Sequence, residues 1–196
     1  MERILFLIVG LCFIFSCQRN VKEFDYLLEP QISPKPAQKM LVVEIKGDPN
    51  TVGKDAFGQL FKTFFAIKRY HKNLKVNPPR TRWPLSVDVP MDEWIGVYAL
   101  PLNDEVDNLP QSPKVSPNAR IDTWYGGDVV EILHIGAYED ETPTIDRLKT
   151  FIEEQGYVIS SDHEEEYLKG PGMLFKGNPK KYRTVIRYGI SRNVTE

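Results

Sequence analysis

Two kinds of apolar spacing trade places twice along this chain. Around 39–46 a mostly apolar run reads as a buried strand, and it ends at Gly47-Asp48-Pro49. From about 54 to 70 the spacing changes, and Phe57, Leu60, Phe61 and Phe64 fall on one side of a helix. Two more strands are predicted near 82–89 and 94–102. The same order returns later in the chain. A strand over Val129–Ile135 leads to a helix from about 143 to 155, with Ile145, Leu148 and Ile152 on one stripe. Thr142 suits the cap of that helix, Pro143 its first turn and Gly156 its exit. Strands near 163–169 and 181–190 follow. In the last, Thr184, Ile186, Tyr188 and Ile190 alternate with Arg183, Val185 and Arg187.

The two halves also match residue by residue. Val42-Val43-Glu44-Ile45 recurs as Val129-Val130-Glu131-Ile132, Lys62-Thr63-Phe64 as Lys149-Thr150-Phe151, and Tyr70 as Tyr157, all at an offset of 87 (129 − 42). Three matches in one order at one offset point to a duplicated unit. Two strand-helix-strand-strand units can close a core by pairing side by side. The predicted fold class is therefore α+β: a joined antiparallel sheet, helices on one face, and a concave cleft on the other near a pseudo-twofold axis. Repeat one spans 38–102 and repeat two 125–191. Residues 103–124, rich in Pro, Asp, Asn and Ser, read as a surface linker.

The N-terminus follows another grammar. Met1-Glu2-Arg3 is followed by an apolar run from Ile4 to Phe15 and then by Ser16-Cys17. The run is too short to span a bilayer and reads as a signal peptide over 1–16. Ile14-Phe15-Ser16-Cys17 resembles a lipobox, with Phe15 bulkier than usual at its position. The expectation is a lipid anchor on Cys17 and a location in the cell envelope, facing the periplasm or the exterior. Residues 17–37 then form a tether, in which Phe24, Tyr26, Leu27 and Leu28 dock as a short strand and Pro30, Pro34 and Pro36 oppose regular helix.

Composition narrows the chemistry. The chain has two cysteines, Cys12 and Cys17. One leaves with the signal and the other carries lipid, so the mature chain has no thiol for a disulfide, a zinc site or a nucleophile. The formal net charge is −2, which offers no basic excess for nucleic acid. His71, His134 and His163 are far apart and have no Cys partner, so no metal site is expected. No phosphate loop or nucleophile elbow is visible, and no cofactor is expected. Oligomeric state is not legible.

The second unit carries a family resemblance. Gly126-Gly127 leads into Val129–His134 and then Gly136-Ala137-Tyr138, similar to a His-x-Gly-x-Tyr turn before a helix. Glu165-Glu166-Tyr167-Leu168 resembles a Glu-x-Tyr-Leu strand, followed by Gly170-Pro171 and a closing strand from Thr184 to Ile190. Together these resemble the GyrI-like effector-binding domain, a small-molecule module also fused to AraC-type and MerR-type regulators. The likeness covers about 38–191. The closing strand ends Tyr188-Gly189-Ile190 in place of the family's aliphatic-Pro-Val, and no helix-turn-helix segment is present.

The resemblance implies reversible binding of small organic compounds, aromatic and often cationic, with a pocket carboxylate on the Glu-x-Tyr-Leu strand. Period-two geometry puts Glu165 and Tyr167 on one face and Glu164, Glu166 and Leu168 on the other. Glu165 is the expected pocket acid, with Tyr167, Trp94 and Tyr98 as its aromatic partners. Read without the family, Glu164–Glu166 is a solvated acidic edge, and Trp94 and Tyr98 are plain core. Glu44 and Glu131 are second-rank pocket candidates. His134 reads as a satisfied turn histidine and Tyr138 as packing at the helix entrance. Glu139, Asp140 and Glu141 suit a helix N-terminus and need no role in chemistry.

Three functions compete. The first is a membrane-anchored lipoprotein that binds a small molecule and is not an enzyme. The second is a hydrolase of strained electrophilic small molecules, with Glu165 and Tyr167 as the catalytic groups. The third is a structural or partner-binding lipoprotein. For the anchor itself, Cys17→Ala should move the protein from the membrane to the soluble fraction of fractionated cells. Unchanged membrane association would refute lipidation at Cys17.

Overall fold

The computed structural model describes residues 21–84, 89–124, 126–171 and 177–192. The signal segment and Cys17 lie outside the described residues. Each half of the chain contributes five main strands and helices in the same order. The first supplies β1 (Gln31–Lys35), β2 (Gln38–Lys46), α1 (Pro49–Lys68), β3 (Arg80–Trp83) and β4 (Ile95–Pro101). The second supplies β5 (Ala119–Trp124), β6 (Gly127–Ile135), α2 (Thr142–Glu154), β8 (His163–Lys169) and β9 (Arg183–Arg192), with the short β7 (Tyr157–Ile159) after α2. Antiparallel pairing joins them in the order β1-β6-β9-β8-β3-β4-β2-β5, with β7 on β9. The halves meet where β3 pairs with β8. Each half also lends its first strand to the other, since β1 pairs with β6 and β5 with β2.

Cross-strand partners share a face of a sheet, so the registers define two rows of side chains. One row is Val43–Tyr98–Thr81–Glu165–Ile186–Ile132. Both helices lie on this face. Phe64, Leu60 and Ile67 of α1 pack with Leu41, Val43 and Leu100, while Leu148 and Ile152 of α2 pack with Val130, Ile132 and Ile186. The central strands β3 and β8 lie between the helices. The adjacent row, on the opposite face, is Glu44–Val97–Arg82–Glu164–Arg187–Glu131.

The α+β architecture follows the sequence pattern, and several details change. Of the segments matched at an offset of 87, Val42–Ile45 and Val129–Ile132 fall on the equivalent strands β2 and β6 and Lys62–Phe64 and Lys149–Phe151 on the two helices, whereas Tyr70 is in a turn and Tyr157 in β7, and β2 and β6 correspond at 89 (127 − 38). The shift of two preserves which face each residue occupies. Helix α1 begins at Pro49, earlier than the apolar stripe indicated, because the Asp48 carboxylate caps it by accepting from the Asn50 N–H at 2.8 Å. The linker reading of 103–124 is corrected: 119–124 is strand β5, with Trp124 buried. Ser116 ties the preceding stretch to α1, its N–H donating to Thr63 Oγ1 and its hydroxyl to Gln59 Oε1. The tether reading is also revised from Val21 onward. Val21–Leu28 is a 3₁₀ helix, not a strand, with Leu27 packed on Leu133 and Val185, and 31–35 is an edge strand that accommodates Pro34. The strand predicted near 82–89 runs only from Arg80 to Trp83, and 85–88 lie outside the described residues. No described helix is long and apolar enough to cross a membrane.

The face away from the helices is held by buried charges. Arg187 donates to Glu131, Glu164 and Glu166. Arg82 and Arg80 also pair with Glu164, and Lys35 pairs with Glu131 at 2.7 Å. Burial alone would raise the Glu131 and Glu164 carboxyls, but Arg187 overrides it, with Lys35 and with Arg80 and Arg82 respectively, and holds both below the ordinary carboxyl range. Arg187→Met should leave three carboxylates buried without their central partner and cost about 3–5 kcal/mol, read by urea denaturation at pH 7. Since these carboxyls are depressed in the folded state, the stability they confer is present above their ordinary value of 4.5 and is lost as the pH falls below it.

Candidate functional site

Glu165 lies on the helix face, at the middle of the sheet, where neither helix covers the strands directly. Its carboxylate is 9% exposed and accepts three hydrogen bonds. Trp83 Nε1 and His163 Nε2 donate to Oε1, both at 3.0 Å, and the Tyr167 hydroxyl donates to Oε2 at 2.6 Å. A carboxylate only accepts, so His163 carries its proton on Nε2, and its Nδ1 meets the Tyr188 hydroxyl at 2.8 Å. Among the described residues, no lysine or arginine pairs with Glu165. On the same strand, Glu164 and Glu166 point to the other face and are consumed by arginines. The reading of these two as a solvated edge is therefore replaced by a buried network.

Aromatic rings build the walls. Tyr167 sits between Phe57 of α1 and Tyr138, which belongs to the 3₁₀ turn Tyr138–Asp140, at centroid distances of 5.8 and 5.6 Å. Tyr138 also touches Tyr182. Trp83 contacts Tyr98 and Trp94 on the other side. Two glycines make these positions possible. A Cβ on Gly96 would fall 2.4 Å from the Tyr98 ring, and one on Gly170 would fall 2.5 Å from the Tyr138 hydroxyl. Tyr138 remains 38% exposed, its ring against those of Tyr167 and Tyr182 ahead of α2. Burial pushes the Tyr98 and Tyr188 hydroxyls up to about 12, and the charge of Glu165 adds to the shift. Tyr167 moves up for the same two reasons.

The second acid of the site is Glu141, which sequence reasoning assigned to the helix terminus. It occupies the cap position of α2 but makes no capping hydrogen bond, and Thr142, the expected cap, is the first helical residue. Its carboxyl turns inward instead, 5% exposed, and Oε1 has no hydrogen-bond partner. Burial, and then the neighbouring charge of Glu165, push it up to about 9, opposed only partly by Thr184, whose Oγ1 also lacks a partner of good geometry. Unpaired buried polar atoms concentrate here. Of the five among the described residues, Thr81 Oγ1, Tyr98 OH, Glu141 Oε1 and Thr184 Oγ1 are on the helix face around Glu165, and Arg80 Nε is on the other. Buried groups of this kind are normally satisfied.

The expected site residues thus fall in one neighbourhood. Tyr167 touches Glu165, Tyr98 is its neighbour across β3, and Trp94 stands behind Trp83 with its Nε1 donating to the Val89 carbonyl. Trp83, His163, Glu141, Tyr138 and Phe57 were missed as site residues. Parity alone placed His163 beside Glu165, whereas Trp83 and Phe57 arrive from the other repeat. His134 is a satisfied turn histidine, bonded to Thr144 Oγ1 and the Ala137 carbonyl. Glu44 is exposed and Glu131 is locked to Arg187, both on the other face. Donor atoms of Glu141, His163 and Glu165 lie within 4.8 Å of one another, close enough to hold a metal ion. However, the His163 nitrogen that faces Glu165 presents a proton there and not a lone pair.

A separate cavity of about 590 Å³ opens on the face away from the helices, bordered by Glu44, Arg82, Trp124, Glu164 and Arg187. It gives concavity to that face, but its arginines are paired with glutamates, Arg82 and Arg187 with Glu164 and Arg120 with Glu44, and the Arg82 guanidinium stacks 3.9 Å above Trp124. Among the described residues, four of the five unpaired buried polar atoms are on the helix side.

No protein-family model and no curated protein matches the sequence. Solved structures do. An uncharacterized conserved protein from Listeria innocua aligns at a TM-score of 0.73 with 22% identity, over 89% of this chain and 98% of that one. A hydrolase from Listeria innocua gives 0.68 and 21%, over 88% and 98%. The C-terminal domain of EcmrR gives 0.64 and 13%, over 84% and 98%. At these identities the likeness establishes a shared fold.

The raised Glu141 carboxyl also marks a stability cost. Its folded-state value lies above the ordinary 4.5, so its contribution is most favourable below 4.5 and is lost as pH rises toward about 9. Glu141→Gln keeps the shape and cannot ionise. Its Tm should exceed that of the wild type at pH 8, and the difference should shrink toward zero at pH 5 in a thermal melt.

Proposed function

We propose that this protein is a lipid-anchored member of the GyrI-like group that binds a small aromatic organic molecule, preferably cationic, in the trough around Glu165, Tyr167, Tyr98 and Trp94. The observation that carries the reading is the carboxylate of Glu165, buried among rings and hydroxyls, with no lysine or arginine among the described residues paired to it and the His163 ring as its one basic neighbour. A permanent cation would supply the missing charge, aromatic faces add a cation–π contribution of about 0.5–2 kcal/mol, and the hydroxyls of Thr81, Thr184 and Tyr98 suit polar substituents. Anchoring rests on the Ile14–Cys17 motif.

A second reading is hydrolysis. Glu141 is raised in the empty site and beside the charged Glu165, an arrangement that offers a general acid next to a general base. The resemblance to a Listeria protein described as a hydrolase is compatible with this. Mass-spectrometric conversion of a strained electrophile that stops in both Glu165→Gln and Glu141→Gln would favour it.

Binding is tested with ethidium, a permanent aromatic cation, and phenanthridine, its uncharged ring system at neutral pH. Glu165→Gln should weaken ethidium by about tenfold or more, equivalent to about 1.4 kcal/mol, and change phenanthridine by less than about twofold. Glu139→Gln, in the exposed part of the same turn, should do neither. Equal weakening of both compounds by Glu165→Gln would sink the cation reading. Glu164→Gln is unsuitable as a control, because Glu164 belongs to the buried network of the other face.

A further inference from the structure

The trough holds two buried acids whose surroundings differ. Glu165 has all its donors: Trp83, His163 and Tyr167. Glu141 has a buried oxygen with none, and one of its carboxyl oxygens lies within 4.8 Å of a Glu165 carboxylate oxygen and of a ring nitrogen of His163. The titratable groups that face the pair are His163 and Tyr167 on β8, Tyr188 on β9, Tyr98 on β4, and Tyr138 with Tyr182 at the helix entrance. None is a lysine or an arginine. Two carboxylates this close in a desolvated pocket cannot both be ionised without a cation between or beside them.

We infer that Glu141 and Glu165 form a carboxyl pair that carries one proton and one negative charge while the trough is empty, and that a bound organic cation drives the proton from Glu141 into solvent. This rests on the cation-binding reading above and deepens it, because uptake becomes an exchange of one proton for one cation. The division of roles follows from the hydrogen bonds. Glu165 keeps the charge because three donors point at it, and Glu141 keeps the proton because only the Thr184 hydroxyl opposes its burial and its Oε1 has no donor. Its position about 9 on the pH scale agrees with that division. The site then holds one net negative charge both when empty and after a monovalent cation displaces the proton, because the exchange is one for one. Glu141 also becomes a contact for the ligand, suited to a cation that bears an N–H or O–H donor.

Ethidium does not change charge between pH 6 and pH 9, so its affinity for the full-length protein reports the exchange directly. The wild type should bind about tenfold more tightly for each pH unit gained over this range, the slope expected for release of one proton. Calorimetry in phosphate and in Tris, buffers of different ionisation enthalpy, should show close to one proton released per ethidium near pH 7.5. Glu141→Gln should bind with a flat pH profile and release no proton, whereas Glu139→Gln should behave as wild type. A flat profile in the wild type overturns the exchange while leaving cation binding intact. A slope that persists in Glu141→Gln assigns the proton to another group and overturns the pair. Failure of the wild type to bind ethidium at any pH overturns both this inference and the cation reading.

Discussion

The antiparallel contact between β3 and β8 is the constraint on which this structure depends. It joins the two four-stranded halves of the sheet at its centre, and its register sets Thr81 opposite Glu165 and Arg82 opposite Glu164. Because strand side chains alternate, a slip of one residue would exchange the faces of every group on β8. Glu165 would enter the arginine network, and Glu164 and Glu166 would be pushed among the aromatic rings. The charges on the far face resist that slip. Arg82, Glu164, Arg187 and Glu131 alternate in sign across four neighbouring strands, and that order holds only in the observed register. The buried network therefore specifies alignment, which is the best-attested use of such ions.

The same strand solves the problem of a buried acid in two opposite ways. Glu164 and Glu166 are buried with guanidinium groups against them, which fixes the charge and leaves nothing to offer a ligand. Glu165 is buried with no guanidinium or ammonium group against it among the described residues. Trp83, His163 and Tyr167 donate to the carboxylate and orient it. Glu141 joins it because the cap of α2 is left unmade. A helix entrance gives up a capping bond so that its acid can face inward, a local departure from the rules of stability of the kind found at functional sites. The site is thus assembled from parts that are each slightly unfavourable: an unpaired charge, an uncapped helix and several unsatisfied hydroxyls.

Duplication explains where this happens. Each repeat covers its outer strands with its own helix, and the middle of the sheet belongs to neither. The trough is not lined symmetrically, however. Thr81 stands in one repeat where Glu165 stands in the other, and Tyr98 where Ile186 does. The twofold plan provides the space, and divergence between the copies provides the charge on one side and the aromatic wall on the other.

Much of this was written in the sequence. Hydrophobic periodicity located the strand-helix-strand-strand order, the repeated Val-Val-Glu-Ile revealed the duplication, and parity along His163–Lys169 put Glu165 and Tyr167 on one face, because these are local properties of consecutive residues. The alternation of Arg183, Val185 and Arg187 was equally visible, though it gave no sign that Arg187 is buried. What lies across a strand pair is not local. That Trp83 donates to Glu165, that Glu141 turns into the trough and away from its helix terminus, and that the face of Glu165 is the helix face all required the β3–β8 register. The tertiary structure alone decided which glutamates are neutralised, since burial and the distance to an arginine are fixed only when strands eighty residues apart in the chain are brought side by side.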